Sequence, residues 1–288
     1  MADLVKVRLS QARDLNALAS NGVAVSPDTS IFVAVRGDEE LLGALVVHET
    51  AFETEQLGLK SARVVSFRAW RRPEEALPML VAACREWLVS KGIQFVACRV
   101  GVDDKCAVSV LKKHGFEDVE TLLTFRRSLS QIGETEDNTA AIDIAVPEDA
   151  ADCSRIAGNC FSSDRFHRDD KIDHGAAGRL KKTWVENAFR GRADAIFVAR
   201  NASGETVGFN ICLVTDEAAV IDLICVRSDA RGQGLARGLV QKAMSYYAGQ
   251  RHEMRVGTQS TNQASISLYQ SCGFQVMSSS KTLHLHLD

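Results

Sequence analysis

The stretch Ala219-Val220-Ile221-Asp222-Leu223-Ile224-Cys225-Val226 runs into Arg227-Ser228-Asp229-Ala230-Arg231-Gly232-Gln233-Gly234 and then into Leu235-Ala236-Arg237-Gly238-Leu239-Val240-Gln241-Lys242-Ala243. The first segment is apolar and rich in β-branched side chains, as a strand requires. In the last, Leu235, Leu239, Val240 and Ala243 recur at helical spacing. Strand, glycine loop and helix therefore form one unit. Backbone N–H groups of such a loop point outward together, and the positive end of the helix dipole adds to their attraction for phosphate. The spacing of Gly232 and Gly234 departs from both the Walker and the dinucleotide fingerprints. The unit reads as an anion cradle in an α/β fold, with a plain glycine turn as the alternative.

Upstream of it, Ala195 to Arg200 and Thr206 to Val214 are apolar runs around the turn cluster Asn201-Ala202-Ser203-Gly204, which predicts an antiparallel hairpin. Before these, Ile142 to Ala145 reads as a strand, Pro147 opens a helix to about Gly158, and Ala176 to Arg190 reads as a second helix. Downstream, Gln270-Ser271-Cys272-Gly273-Phe274 repeats Lys112-Lys113-His114-Gly115-Phe116 of the first half. The same shift pairs Asp104 with Asn262, Ala107 with Ser265 and Leu111 with Tyr269, a register that argues for an internal duplication. The polar stretch around Gly133, Glu134, Glu136 and Asp137 is the seam. The expected organisation is residues 1-130, a linker at 131-139, and residues 140-288.

Composition narrows the function. Hydrophobic residues make up 45% and charged residues 25% of the 288, the balance of a chain that buries ordinary cores. Lys+Arg 34 against Asp+Glu 37 gives a net charge of -3, without the basic excess of a general nucleic-acid binder. The apolar runs are too short for a membrane span. The start Met1-Ala2-Asp3-Leu4-Val5-Lys6 shows no secretory pattern, so a cytoplasmic location is expected. The eight cysteines include no Cys-x-x-Cys pair, and Cys153, Cys160 and His167 do not match a zinc site; reduced thiols and no metal are expected.

Two motifs carry the chemistry. Arg231-x-x-Gly234-x-Ala236 after an apolar strand resembles the pyrophosphate loop of the GNAT acetyltransferases. Asn262-Gln263-Ala264-Ser265-Ile266-Ser267-Leu268-Tyr269-Gln270-Ser271-Cys272-Gly273-Phe274 resembles the helix pattern Asn-x-x-Ala-x-x-Leu-Tyr-x-x-x-Gly-Phe of that family, with Ser265 in place of alanine. Independently of the resemblance, Asn262 is a helix cap and Gly273 a helix stop. What the resemblance implies is a mixed α+β sheet and acetyl-coenzyme A as co-substrate. The coenzyme would pair with Ile224, Cys225 and Val226, its pyrophosphate would sit on Arg231, Gly232, Gln233, Gly234, Leu235, Ala236 and Arg237, and Asn262 would flank it. Tyr269 would protonate the departing thiolate, or else be a core tyrosine.

A narrower resemblance concerns the acceptor. Phe161-Ser162-Ser163-Asp164-Arg165-Phe166-His167-Arg168-Asp169, Trp184-Val185-Glu186-Asn187 and Arg255-Val256-Gly257-Thr258-Gln259 are similar to the TDP-fucosamine N-acetyltransferase group of sugar-modifying GNATs, although Asp164 stands where that group has serine. It implies a nucleotide-linked amino sugar as acceptor, met by Arg165, His167, Asp169, Trp184 and Asn187. A mycothiol-synthase-like enzyme acting on a cysteinyl sugar and a coenzyme A-binding module without turnover are the alternatives; a homodimer stays open. For the base, Asp222, His167, Asp169 and Glu186 are candidates. Arg165, Arg168, Arg179, Lys181 and Lys182 offer a basic segment for the diphosphate, with a solvated helix face as the preferred alternative for the two lysines, and the loop Ser162 to Gly175 reads as poorly anchored. The first half has Phe67-Arg68-Ala69-Trp70-Arg71-Arg72-Pro73-Glu74 where the cradle would be, and Leu111 in place of the tyrosine. It reads as a degenerate GNAT-like domain, in tandem with the catalytic one.

Overall fold

A computed structural model describes residues 4–37, 40–130, 141–161 and 164–287. The first half of the chain contains β1 (Val5–Leu9), α1 (Leu15–Ser20), β2 (Ser30–Arg36), β3 (Glu40–Glu49), α2 (Ala51–Leu57), β4 (Ser61–Ala69), α3 (Pro73–Ser90), β5 (Phe95–Gly101), α4 (Lys105–Lys113) and β6 (Glu117–Ser128). The second contains β7 (Ile142–Ile144), α5 (Ala150–Cys160), α6 (His174–Asn187), β8 (Ala195–Arg200), β9 (Thr206–Val214), β10 (Ala218–Val226), α7 (Leu235–Tyr247), β11 (Glu253–Gln259), α8 (Gln263–Ser271) and β12 (Gln275–His286). The expected linker 131-139 lies outside the described residues.

Two compact units result, but not as linear halves: one comprises Met1–Glu120 with Ser280–Asp288, the other Thr121–Ser279. In the first, β1 to β5 form a mixed sheet whose last neighbour is the end of β12, with Ser280 to His286 antiparallel to Gly101 to Phe95. In the second, β7 to β11 form the equivalent sheet, completed by the end of β6, with Leu122 to Ser128 antiparallel to Gln259 to Glu253. The strand that closes each sheet thus comes from the other half of the sequence. Alternation along a strand reports which side chains face a core, not which neighbour supplies the hydrogen bonds, so the expected division at 1-130 and 140-288 missed this exchange.

Leu283, Leu285 and Leu287 belong to the core of the first unit, against Leu80, Cys84 and Phe116, and the ring of Phe95 meets His284 edge-on at 4.8 Å. Losing buried leucines costs about 2–5 kcal/mol each. Removing residues 280–288 should therefore strip hydrogen-exchange protection from Phe95–Gly101 while Glu253–Gln259 stays protected. The reverse pattern would show that β12 does not close the first sheet.

The duplication is visible in the backbone. Within each unit the one parallel pair holds register for four residues, Ser61↔Phe95 to Val64↔Cys98 and Ala218↔Glu253 to Ile221↔Val256. A bulge then follows in each, at Val65 of β4 and at Asp222 of β10. In the second unit the sheet is covered on one face by a cluster containing Leu239, Val240, Ala243 and Tyr269, and on the other by one containing Ile156, Ala157, Val185 and Ala188.

Candidate active site

The site begins where β10 and β11 part. From Leu223 to Val226 the strand keeps its ladder with Ile211 to Gly208 of β9, whereas among the described residues no ladder continues on its β11 edge. Buried backbone polar groups are nearly always paired, so an opened edge between two parallel strands is where an extended ligand with amide groups fits. Ile224 packs on the α7/α8 face and Leu223 and Cys225 on the α5/α6 face.

β10 leads into the glycine loop. Gly232 and Gly234 have φ of 79° and 78°, and a Cβ at either would meet no atom within 4 Å. Backbone conformation rather than crowding thus selects glycine here, and the space before α7 is open. Gly234 is the N-cap of that 13-residue helix, and no side chain caps it, which leaves first-turn N–H groups directed at the opening. Arg231 ties the loop to the strand, its Nε donating to the Val226 carbonyl at 3.1 Å. Arg227 is engaged elsewhere, by Asp229 at 2.6 Å and Glu205 at 3.7 Å; Arg237 is exposed. In the first unit the matching position, the N-cap of α3, is Arg72 at φ 47°, a left-handed residue followed by Pro73. The left-handed turn is present here without glycine, but proline removes an N–H from the helix start.

Asn262 caps α8, its Oδ1 accepting from Ser265 N at 3.1 Å, as Asp104 caps α4 through Ala107 N at 2.9 Å. Tyr269 is 2% exposed, its ring centroid 5.9 Å from both Phe125 and Phe274. Burial pushes its phenol up from the usual range, so it stays protonated. It shares its apolar cluster with Ile224 of the opened strand.

The acceptor-side residues form a second cluster. Asp164 is 8% exposed: its Oδ1 meets the amides of Phe166 (2.9 Å) and His167 (3.2 Å) and His167 Nδ1 (3.1 Å), and its Oδ2 forms an ion pair with Lys181 Nζ at 3.1 Å. Burial alone would raise its carboxyl, but the charge of Lys181 and the His167 contact outweigh this and hold it below the ordinary carboxylate range. Lys181 is not on a solvated face. It is 7% exposed, with its ammonium 5.4 Å from the Phe161 ring, 6.0 Å from Phe166 and 4.9 Å from Trp184. Trp184 Nε1 donates to Asp222 Oδ2 at 2.7 Å, and Arg192 Nη1 joins the same oxygen at 2.8 Å. α6 thereby connects the loop after α5 to the bulge of β10.

Of the residues expected to meet the acceptor, His167 and Trp184 enter this network. Arg165 lies over the Phe166 ring at 4.0 Å. Asp169 is 8% exposed and caps the Lys171 amide at 3.1 Å, and Asn187 accepts from Arg190 at 3.3 Å. Of the base candidates, Asp222 alone stands on the opened strand; Glu186 is paired with Arg190 at 3.6 Å. Ser162 and Ser163 lie outside the described residues; from Asp164 on, the loop is better anchored than expected, because Phe166 and Ile172 are 1% and 3% exposed and Arg168 Nη2 donates to Thr261 Oγ1 at 2.7 Å, beside the α8 cap. Sequence reasoning placed Lys181 on a solvated face and missed Arg192. A lysine between Leu180 and Trp184 on an otherwise apolar stripe was the available signal for the first.

Residues 160–274 match the family model "Acetyltransferase (GNAT) family", a span from the last residue of α5 to the start of β12 that contains the opened strand, the glycine loop and α8. Residues 160–274 belong to the GNAT acetyltransferases. Over 140 residues, 48% of each chain, the protein is 28% identical to the spore coat polysaccharide biosynthesis protein SpsD of Bacillus subtilis. Over 192 residues, 66% of this chain and 80% of the relative, it is 26% identical to the dTDP-fucosamine acetyltransferase of Escherichia coli O6:H1. The match thus spans about half the length of the first relative. In fold, the GCN5-related N-acetyltransferase of Sphaerobacter thermophilus superposes with a TM-score of 0.67 at 16% identity, covering 98% of this chain and 95% of that one. A tandem GNAT protein from the clavulanic acid biosynthesis pathway gives 0.64 at 15% identity, with 98% of both chains covered. The GNAT fold is present twice, and only the second copy has the glycine loop and the α8 tyrosine. No helix among the described residues is long and apolar enough to cross a membrane.

Proposed function

We propose that the second unit transfers the acetyl group of acetyl-coenzyme A to the amine of a nucleotide-linked amino sugar by direct attack. The observation that carries this reading is the opened edge of β10 leading into an uncapped helix start: an amide-bearing pantetheine arm suits the first and a pyrophosphate the second. The free amine attacks the thioester carbonyl, the C–S bond breaks, and Tyr269 supplies a proton to the departing sulfur. Asp222, at the bulge and held from one side by Trp184 and Arg192, is the candidate for orienting or deprotonating the ammonium. The relatives named for spore coat polysaccharide biosynthesis and for dTDP-fucosamine acetylation support a sugar acceptor. Arg165 and Arg168 give the loop the positive charge that a diphosphate requires.

The reading is tested by following free thiol release from acetyl-coenzyme A against TDP- and UDP-linked amino sugars, cysteinyl glycosides, polyamines and peptides. Turnover confined to nucleotide-linked amino sugars is expected; turnover confined to peptides would overturn the acceptor assignment.

A further inference from the structure

Two thiols meet beside the glycine loop. Cys160 is the last residue of α5 and Cys225 lies on β10. Cys160 Sγ is 3.9 Å and Cys225 Sγ 3.8 Å from one acceptor, the Val226 carbonyl oxygen, so the two sulfurs bracket a single atom. Arg231 holds the same carbonyl at 3.1 Å. The neighbouring Cys225 thiol pulls the Cys160 thiol below its usual range against the opposing effect of burial, and the Arg231 charge adds to it. Cys225 moves the other way, through the neighbouring Cys160 thiol and its own burial. Cys160 is partly exposed and Cys225 is 9% exposed. A partly accessible sulfur, with a guanidinium and a second thiol gathered on the same carbonyl oxygen, is the arrangement of a reactive cysteine and its resolving partner.

We propose that Cys160 is a site of oxidative modification by hydroperoxides and that Cys225 captures the oxidised sulfur as a disulfide. The Cys160 thiolate attacks one oxygen of the peroxide; the O–O bond breaks, Cys160 becomes a sulfenic acid, and the leaving oxygen departs as water after taking a proton. The Cys225 sulfur then attacks Cys160 Sγ, the S–O bond breaks, and the hydroxide leaves as water with the Cys225 proton. Two thiols lose two electrons and hydrogen peroxide is reduced to two waters. Oxidation removes the thiolate that the Arg231 charge favours and joins α5 to β10, so that coenzyme binding should weaken. That last consequence alone rests on the reading of β10 as the coenzyme's seat.

The test uses the full reduced chain. Iodoacetamide at pH 6.5, with labelling of each cysteine followed by mass spectrometry, should modify Cys160 at least about tenfold faster than Cys106, since an ordinary thiol is only about 1% thiolate there. Cys106 is the internal reference, partly exposed and with its thiol raised by burial and by Glu74 and Asp104. Hydrogen peroxide should yield a Cys160–Cys225 linked peptide reversible by dithiothreitol. In C225S the reaction should stop at a sulfenic acid trapped by dimedone at Cys160. Equal labelling of Cys160 and Cys106, or peroxide treatment without the linked peptide, would overturn the proposal. Acetyl-coenzyme A should slow labelling of Cys160. If the disulfide forms but the coenzyme gives no protection, the thiol pair is upheld and the coenzyme placement is what fails.

Discussion

Replacing Tyr269 by Phe should lower kcat by about 10²- to 10⁴-fold while leaving the Kd for acetyl-coenzyme A nearly unchanged, because a general acid acts mainly in the transition state. The substitution keeps the ring between Phe125 and Phe274 and removes only the hydroxyl, so neither a cavity nor a lost aromatic contact confuses the result. Burial holds the phenol above its usual range, so it enters the reaction protonated. Steady-state rates should be paired with a pre-steady-state measurement showing that chemistry limits turnover. Under that condition, an unaltered kcat would reduce Tyr269 to a packing residue and leave the coenzyme's thiolate to depart unprotonated.

The second large effect is on stability. Asp164 and Lys181 are both more than nine-tenths buried and 3.1 Å apart, and deleting one partner of a buried pair strands the other, at a cost of about 3–5 kcal/mol. Asp164→Ala also leaves the Phe166 and His167 amides without their acceptor. A fall in Tm of roughly 10 °C is expected for a unit of this size. Lys181→Met added to Asp164→Asn should recover part of it by removing the stranded charge. The pH dependence has a definite sign: the folded carboxyl is held below its unfolded value, so the pair's stabilisation is fully present above the unfolded carboxylate range near ~3.9 and is lost as pH falls from there through the folded value. A Tm for Asp164→Ala within the error of the parent's, with the same acid dependence, would mean that the cluster does not hold the loop.

How far these features could be read from the chain depends on their range. The cradle was legible because strand, glycines and helix are contiguous and each leaves a local signature; so were the caps at Asn262 and Asp104, which act over three residues. The offset shared by Gly115 and Gly273 announced the duplication. The exchange of β6 and β12 was not legible, since Leu283 or Phe125 would look the same in either sheet. Lys181 was misread because its partners, Asp164, Phe161 and Phe166, are brought to it by a turn of the chain that no periodicity reports. Arg192 reaches Asp222 only through the widened turn Ala188–Arg192, which Gly191 ends at φ 106°. Arg72 shows the converse: its sequence argues against the turn geometry that it nonetheless retains.

Calorimetric titration of the whole chain with acetyl-coenzyme A tests directly whether the second unit holds a single coenzyme seat. The parent should bind one equivalent. Gly234→Val should bind none while keeping its circular dichroism, because a β-branched residue at φ 78° distorts the loop, and Arg72→Gly in the first unit should bind as the parent does. Two equivalents in the parent, or undiminished binding in a folded Gly234→Val variant, would contradict the account.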